Sequence, residues 1–284
     1  MKKLIAFLLA MIMMMGLVAC APSDTGETTG AAGETTGAAE QTTGAESKGV
    51  ITVGYTIYEP MNYKDESGKL VGFDTELAEA VFGNMGYDVI FQEIDWASKY
   101  TDLDSGAIDC VWNGFTCNTA DDDGILRSEK VDFSYNYMEN RQVIVVKADS
   151  GIATAADLAG KQGAAESGSA GATYGATFEG ADIKGFNYQT DCLFEVNAGT
   201  KDFAVLDAQL AKSYVGKGDY EGLTIVEDLS SDVEYYAIGF KRGSELTAQV
   251  NAQLEALAAD GTIAALAETY GVVNTTITDF SDQK

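Results

Sequence analysis

Histidine is absent from this 284-residue chain. With it go the commonest protein metal ligand and the commonest general base. Cysteine is scarce: after Cys20 there are only Cys110, Cys117 and Cys192. Three thiols cannot build a paired disulfide framework, and none of their spacings is C-x-x-C, so small buried thiols are expected. Basic residues are few, 18 Lys and Arg against 44 Asp and Glu, giving a net charge of −26. Such a surface repels nucleic-acid phosphate and anionic headgroups, which excludes both as partners, and the acids keep the chain soluble. The N-terminal apolar run is also too short to span a bilayer: it covers residues 4–19, and a spanning helix needs about 20 residues. No metal and no cofactor are expected.

What is present begins with that short run. Lys2 and Lys3 precede it and Gly16-Leu17-Val18-Ala19-Cys20 ends it, the layout of a signal peptide over residues 1–19. The small residues before Cys20 resemble the lipobox of bacterial lipoproteins, whose cysteine thiol is diacylated and becomes the new N-terminus. An ordinary secretory signal that happens to contain a cysteine is the alternative. Two acyl chains hold a protein stably at a membrane where one does not. Removal of Lys2 and Lys3 takes the net charge to −28.

Residues 20–49 read as a lipid-anchored flexible tether. The block ETTGAA at residues 27–32 recurs at 34–39, and no aliphatic side chain larger than alanine follows Cys20 until Val50. Such a segment cannot bury enough apolar surface to offset its conformational entropy. From Val50 on, strands and helices alternate, which predicts an α/β fold with ligands at the carboxyl ends of parallel strands. Strands are expected at 51–55, 87–91, 108–112, 142–147, 161–165, 203–206, 223–226 and 234–241. Among the helices, 73–82 places Phe73, Leu77, Ala80 and Val81 on one stripe with Asp74, Glu76 and Glu79 facing out. Gly83 and Gly86 are expected to end it. An N-capped helix over 244–259 and a last one over 263–270 close the chain.

A family resemblance runs through residues 50–275. Gly72-Phe73-Asp74-Thr75-Glu76-Leu77-Ala78-Glu79-Ala80-Val81 resembles the signature of the polar-amino-acid-type bacterial solute-binding proteins, family 3. Ser105-Gly106-Ala107-Ile108-Asp109, Trp112-Asn113-Gly114-Phe115-Thr116 and Val131-Asp132-Phe133-Ser134 follow in register. So do Asp157-Leu158-Ala159-Gly160-Lys161, Glu166-Ser167-Gly168-Ser169, Asp202-Phe203-Ala204-Val205-Leu206-Asp207 and Glu234-Tyr235-Tyr236-Ala237-Ile238. The resemblance implies a two-lobed periplasmic-binding-protein fold, type II-like, with lobes joined by two crossing strands and the ligand closed between them. Lobe 1 is expected over residues 50–146 and again over 235–284, and lobe 2 over 147–234. The crossings would be 142–147 and 234–241.

The resemblance also implies a ligand site. Asp207 would receive an α-ammonium, though at a strand end it also suits an N-cap for the next helix. Ser169 would help hold a carboxylate, unless Gly168-Ser169 is an ordinary loop. Tyr58 and Trp96 would sandwich the ligand side chain, unless they are simply core. Asn113, Gly114 and Thr116 would offer carbonyl, N–H and hydroxyl groups. The family places an arginine about five residues after Thr116, where this chain has Asp121. Counting back from Val131 gives Arg127 instead, after an insertion at 117–126. Arg127 then clasps the carboxylate, or lies solvated beside Glu129. Asp121, Asp122 and Asp123 lack the spaced ligands of a calcium loop and read as an exposed loop.

The leading function is therefore an extracytoplasmic, membrane-anchored, monomeric substrate-binding lipoprotein of an ABC importer, with the permease as partner and an amino-acid-type solute, cystine among the candidates, as ligand. A cyclohexadienyl-dehydratase-like enzyme on the same scaffold is a second reading; no acid–base pair is evident for it, and no catalytic residue is expected. A solute sensor or surface-adhesion lipoprotein is a third.

Overall fold

The computed structural model describes residues 47–283; the expected signal peptide, Cys20 and most of the tether lie outside them. The chain builds two five-stranded sheets. The first runs, edge to edge, Asp88–Glu93, Val50–Tyr55, Cys110–Val111, Gly239–Phe240, Asp132–Phe133. Its first three strands are parallel and the last two pairings antiparallel. The second runs Asp182–Phe186, Gln162–Glu166, Phe203–Asp207, Gln142–Lys147, Leu223–Val226. Strands buried on both faces lose alternation and become continuous apolar runs. Phe203-Ala204-Val205-Leu206 and Val143-Ile144-Val145-Val146 are such runs, each of them buried throughout.

The helix Phe73–Met85 buries Phe73, Leu77, Ala78, Val81, Phe82 and Met85. It packs against Leu246–Ala259 and Thr262–Thr269, which return to the first lobe from the far end of the chain. Full burial of such apolar side chains is worth about 1.5–3 kcal/mol each, enough to fix the return segment. Gly83 does not end this helix. Its stop is Gly86, in the left-handed region at φ 86°, where a side chain is strained. Asp74 does not face out either: it is fully buried at the first turn, because its carboxylate meets partners beyond the helix.

The crossings also differ from expectation. Residues 142–147 lie wholly within the second sheet, between Phe203–Asp207 and Leu223–Val226, where the backbone N–H and C=O groups of a buried strand find partners on each edge. The first lobe therefore ends near Arg141, not at residue 146. The strand expected at 234–241 is two strands. Glu234–Tyr236 pairs antiparallel with Met138–Asn140 to form the joining ribbon, and Gly239–Phe240 belongs to the first sheet. Gly239 is required there, because a Cβ would lie 2.7 Å from the Phe115 ring. The C-terminal segment straps this ribbon: the Glu139 N–H donates to the Thr275 carbonyl at 2.7 Å, and that of Ile277 to Tyr137 at 2.8 Å. The three cysteines are free; Cys110 and Cys192 are buried, whereas Cys117 is half-buried. No described helix is long and apolar enough to cross a membrane.

Candidate functional site

A cavity lies between the lobes. Trp96, Asn113, Gly114, Thr116 and Arg127 line it from the first lobe, and Glu166, Ser169, Ala170, Gln189 and Asp207 from the second. Asn113, Gly114 and Thr116 follow the strand Cys110–Val111, while Glu166 and Asp207 are the last residues of their strands. The site is thus at strand carboxyl ends, as alternating α/β order predicts. The interior leaves about 10 Å³ for the centre of a water molecule, roughly the room of one water. A larger solute enters only if the lobes part.

Asp207 anchors the second-lobe wall. Its Oδ1 accepts from Asn140 Nδ2 at 2.7 Å and Gln142 Nε2 at 2.6 Å, and its Oδ2 accepts from Gln189 Nε2. Gln189 Oε1 in turn accepts the Asp207 N–H at 2.9 Å. Although Asp207 stands at the N-cap position of Ala208–Tyr214, its carboxylate makes no capping bond. The side chain is aimed at the cleft rather than at its own helix. Glu234 shares two of the same donors, at 2.5 Å from Asn140 Nδ2 and 2.7 Å from Gln142 Nε2. Burial pushes both carboxyls up, and Asp207 adds to the rise of Glu234, to about 7.

Arg127 is 1% exposed, so it is not solvated beside Glu129. Its Nε donates to Asp121 Oδ1 at 2.8 Å, Nη1 to the Thr116 carbonyl at 3.2 Å, and Nη2 across the cleft to the Gly168 carbonyl at 3.4 Å. The segment after Thr116 doubles back, pairing Ala120 with Leu126, and the Asp121 N–H donates to the Ile125 carbonyl at 3.0 Å. Asp121 is therefore not an exposed loop acid. Burial pushes its carboxyl up, but Arg127, Lys130 and Tyr100 outweigh this and hold it below its ordinary range. Asp122 reaches the second lobe, accepting from Thr173 Oγ1 at 2.8 Å.

The remaining expected residues divide. Trp96 is buried at the cavity wall, edge-on to Phe115. Ser169 caps the helix Ala170–Gly175, its Oγ accepting from the Ala172 N–H at 3.1 Å. Asn113 is held by Thr56 and Asn62 at 2.7–2.8 Å. Gly114 lines the cavity, yet its N–H donates to Asp74 Oδ2 at 2.9 Å, so that donor is already engaged. Its φ of 58° and a would-be Cβ 2.7 Å from the Tyr58 ring exclude any side chain there. Tyr58 does not join the lining. Its ring packs against Gly114, and its hydroxyl lies 2.7 Å from that of Tyr236. Glu166 and Gln189 line the cavity without having been expected. Glu166 lay within a matched segment; for Gln189, the first residue of the helix Gln189–Ala198, the sequence offers no signal.

The buried acids have a consequence for stability. Burial raises Asp74 from 3.8, and Glu234 from 4.5, to about 7. Between about pH 4 and 7 the folded chain then keeps protons that the unfolded chain has lost, so stability falls as pH rises through that window. Asp207 and Glu166 are shifted in the same direction. Lys99, lowered to about 7 by burial first and Arg127 second, acts only above that window. Ligand-free protein is expected to melt at a higher temperature at pH 5 than at pH 7.5; the opposite order would contradict this arrangement of acids.

Residues 51–273 match the sequence profile of the bacterial extracellular solute-binding proteins, family 3. The arginine-binding extracellular protein ArtP of Bacillus subtilis (strain 168) is 30% identical over 264 residues, covering 92% of this chain and 94% of the relative. The L-cystine-binding protein TcyA of the same organism is 28% identical over 274 residues, covering 95% and 97%. Among solved structures, an ancestral arginine-binding protein bound to arginine superposes with a TM-score of 0.71 at 33% identity, over 79% of this chain and 99% of that one.

Proposed function

We propose, from the premise that the chain belongs to the bacterial extracellular solute-binding proteins of family 3, that it captures a free amino acid between its lobes and presents it to the permease of an ABC importer. The observation that carries this reading is the pair of buried opposite charges on opposite walls of one cavity, Arg127 from the first lobe and Asp207 from the second. A zwitterion taken out of water needs a cation for its carboxylate and an anion for its ammonium. Placing one on each lobe makes closure depend on the ligand. Similarity to relatives named for binding arginine and cystine supports an amino-acid solute. That both are named as binding proteins supports capture over dehydration of a cyclohexadienyl acid. One chain supplies both walls, so a monomer suffices.

As a member of an extracellular family the chain works outside the cytoplasm, and Cys20 is the proposed lipid anchor. Cys20→Ala is expected to leave the membrane fraction or to stall in processing; correctly cleaved variant that stays with the membrane contradicts anchoring at Cys20. The solute reading is tested by thermal-shift screening of the amino acids and cystine. A true ligand stabilises by RT ln(1 + [L]/Kd), about 2.7 kcal/mol at a hundredfold excess over Kd. Failure of every one of them to stabilise the protein would overturn the reading.

A further inference from the structure

The charges around the cavity do not cancel for an ordinary zwitterion. Its lining holds one cation, Arg127, and two carboxylates, Asp207 and Glu166. The α-carboxylate and α-ammonium of an amino acid take up Arg127 and Asp207, and Glu166 is left over. Arg127 is itself part-neutralised, since its Nε is paired with Asp121 at 2.8 Å. Glu166 ends the strand Gln162–Glu166 beside that of Asp207 and is 3% exposed. Among the described residues no cation lies within ion-pair distance of it.

Lys99 is the nearest candidate for compensation, and it falls short. Its Nζ donates to the carbonyls of Trp96 at 3.2 Å and Gly168 at 2.9 Å and sits over the rings of Trp96, Tyr100 and Phe115. It lines a separate outer groove, with Asp121, Asp122 and Asp123, not the cavity. The carboxyl group of Glu166 is pushed well up by burial first and by Asp207 second, with Lys99 pulling only partly back. Thr56 gives the carboxyl a hydrogen bond, but a buried carboxylate with no cation beside it is still costly, and a cation brought by the ligand removes that cost.

We propose that Glu166 receives a second positive group at the end of the ligand side chain, so that the solute is a dibasic amino acid, an amine or guanidine, and not a neutral one. This rests on the amino-acid reading and narrows it. Cystine, with two ammonium and two carboxylate groups, brings as many anions as cations and leaves the excess of Glu166 standing.

The test is calorimetric titration of the full chain with arginine, lysine, citrulline and cystine; citrulline matches arginine in shape but lacks its charge. At least one dibasic amino acid is expected to bind roughly thirtyfold or more tightly than both neutral solutes, the discrimination that a buried charge pair provides. Glu166→Gln, nearly isosteric, is expected to abolish that preference. Citrulline or cystine binding as tightly as the best dibasic solute overturns the proposal while leaving the amino-acid reading in place. So does an unchanged preference in Glu166→Gln. Binding of none of the four overturns the dibasic proposal and leaves the amino-acid reading to the thermal-shift screen.

Discussion

Asp207→Ala is expected to weaken binding of the amino-acid ligand by roughly thirtyfold to several thousandfold, the ~2–5 kcal/mol typical of truncating one member of a buried charge pair. Two losses add. The ligand ammonium is left in the closed cleft without its counter-charge, and Gln189 Nε2 loses its carboxylate acceptor. Asn140 and Gln142 keep Glu234 as an acceptor, so the joining ribbon retains its polar ties and the protein is expected to fold. Asp207→Asn keeps the shape and removes the charge, and it should lose most of the same affinity. Calorimetric titration alongside a melting curve separates the two effects. Affinity within a few-fold of wild type in both variants would mean that the ammonium is held elsewhere.

Arg127→Ala is expected to cost a similar factor, for the complementary reason that the ligand carboxylate loses its clasp. Its Asp121 partner remains tied to Lys130 at 2.8 Å and Tyr100 at 2.6 Å, so the turn at 120–126 does not lose its anchor with the arginine. Arg127→Lys supplies a point charge without the planar fork and should recover only part of the loss. Near-wild-type affinity for Arg127→Ala together with loss for Asp207→Ala would mean that Asp121 holds the guanidinium away from the ligand, leaving the carboxylate to Ser169 and backbone N–H groups.

The positions of these two residues were legible in the sequence for different reasons. Asp207 follows Phe203-Ala204-Val205-Leu206, an apolar run that reads as a buried strand in alternating α/β order, and a strand end in such a fold is where ligands gather. Arg127 emerged from counting back along the register from Val131, and its burial removes the solvated alternative. What surrounds them was not legible. Gln142 and Glu234 read as ordinary strand residues and Asn140 fell in no expected element, and their convergence around Asp207 appears only when the joining ribbon brings residues more than 60 positions apart into contact. Asp74 misled for a related reason. Helical periodicity placed it outward, but a first-turn residue looks past its helix, and here it finds Gly114 and the Tyr137 hydroxyl. The crossing was misplaced because an unbroken run of β-branched residues at 143–146 marks a strand without saying which sheet holds it. Tyr58 shows the limit of reading aromatics: proximity to a strand end does not tell a ring that lines the cleft from one packed against Gly114 and Tyr236.

Closure of the lobes on the solute is the central claim, and small-angle X-ray scattering tests it most directly. The cavity as it stands has room for about one water, so the lobes must part to admit an amino acid and come together again around it. A fall in radius of gyration is expected over the same concentrations of the best-binding amino acid that stabilise the protein against heat, and no such fall in Asp207→Ala at those concentrations. Full thermal stabilisation by that ligand with an unchanged scattering profile would contradict a clamp closing between Arg127 and Asp207.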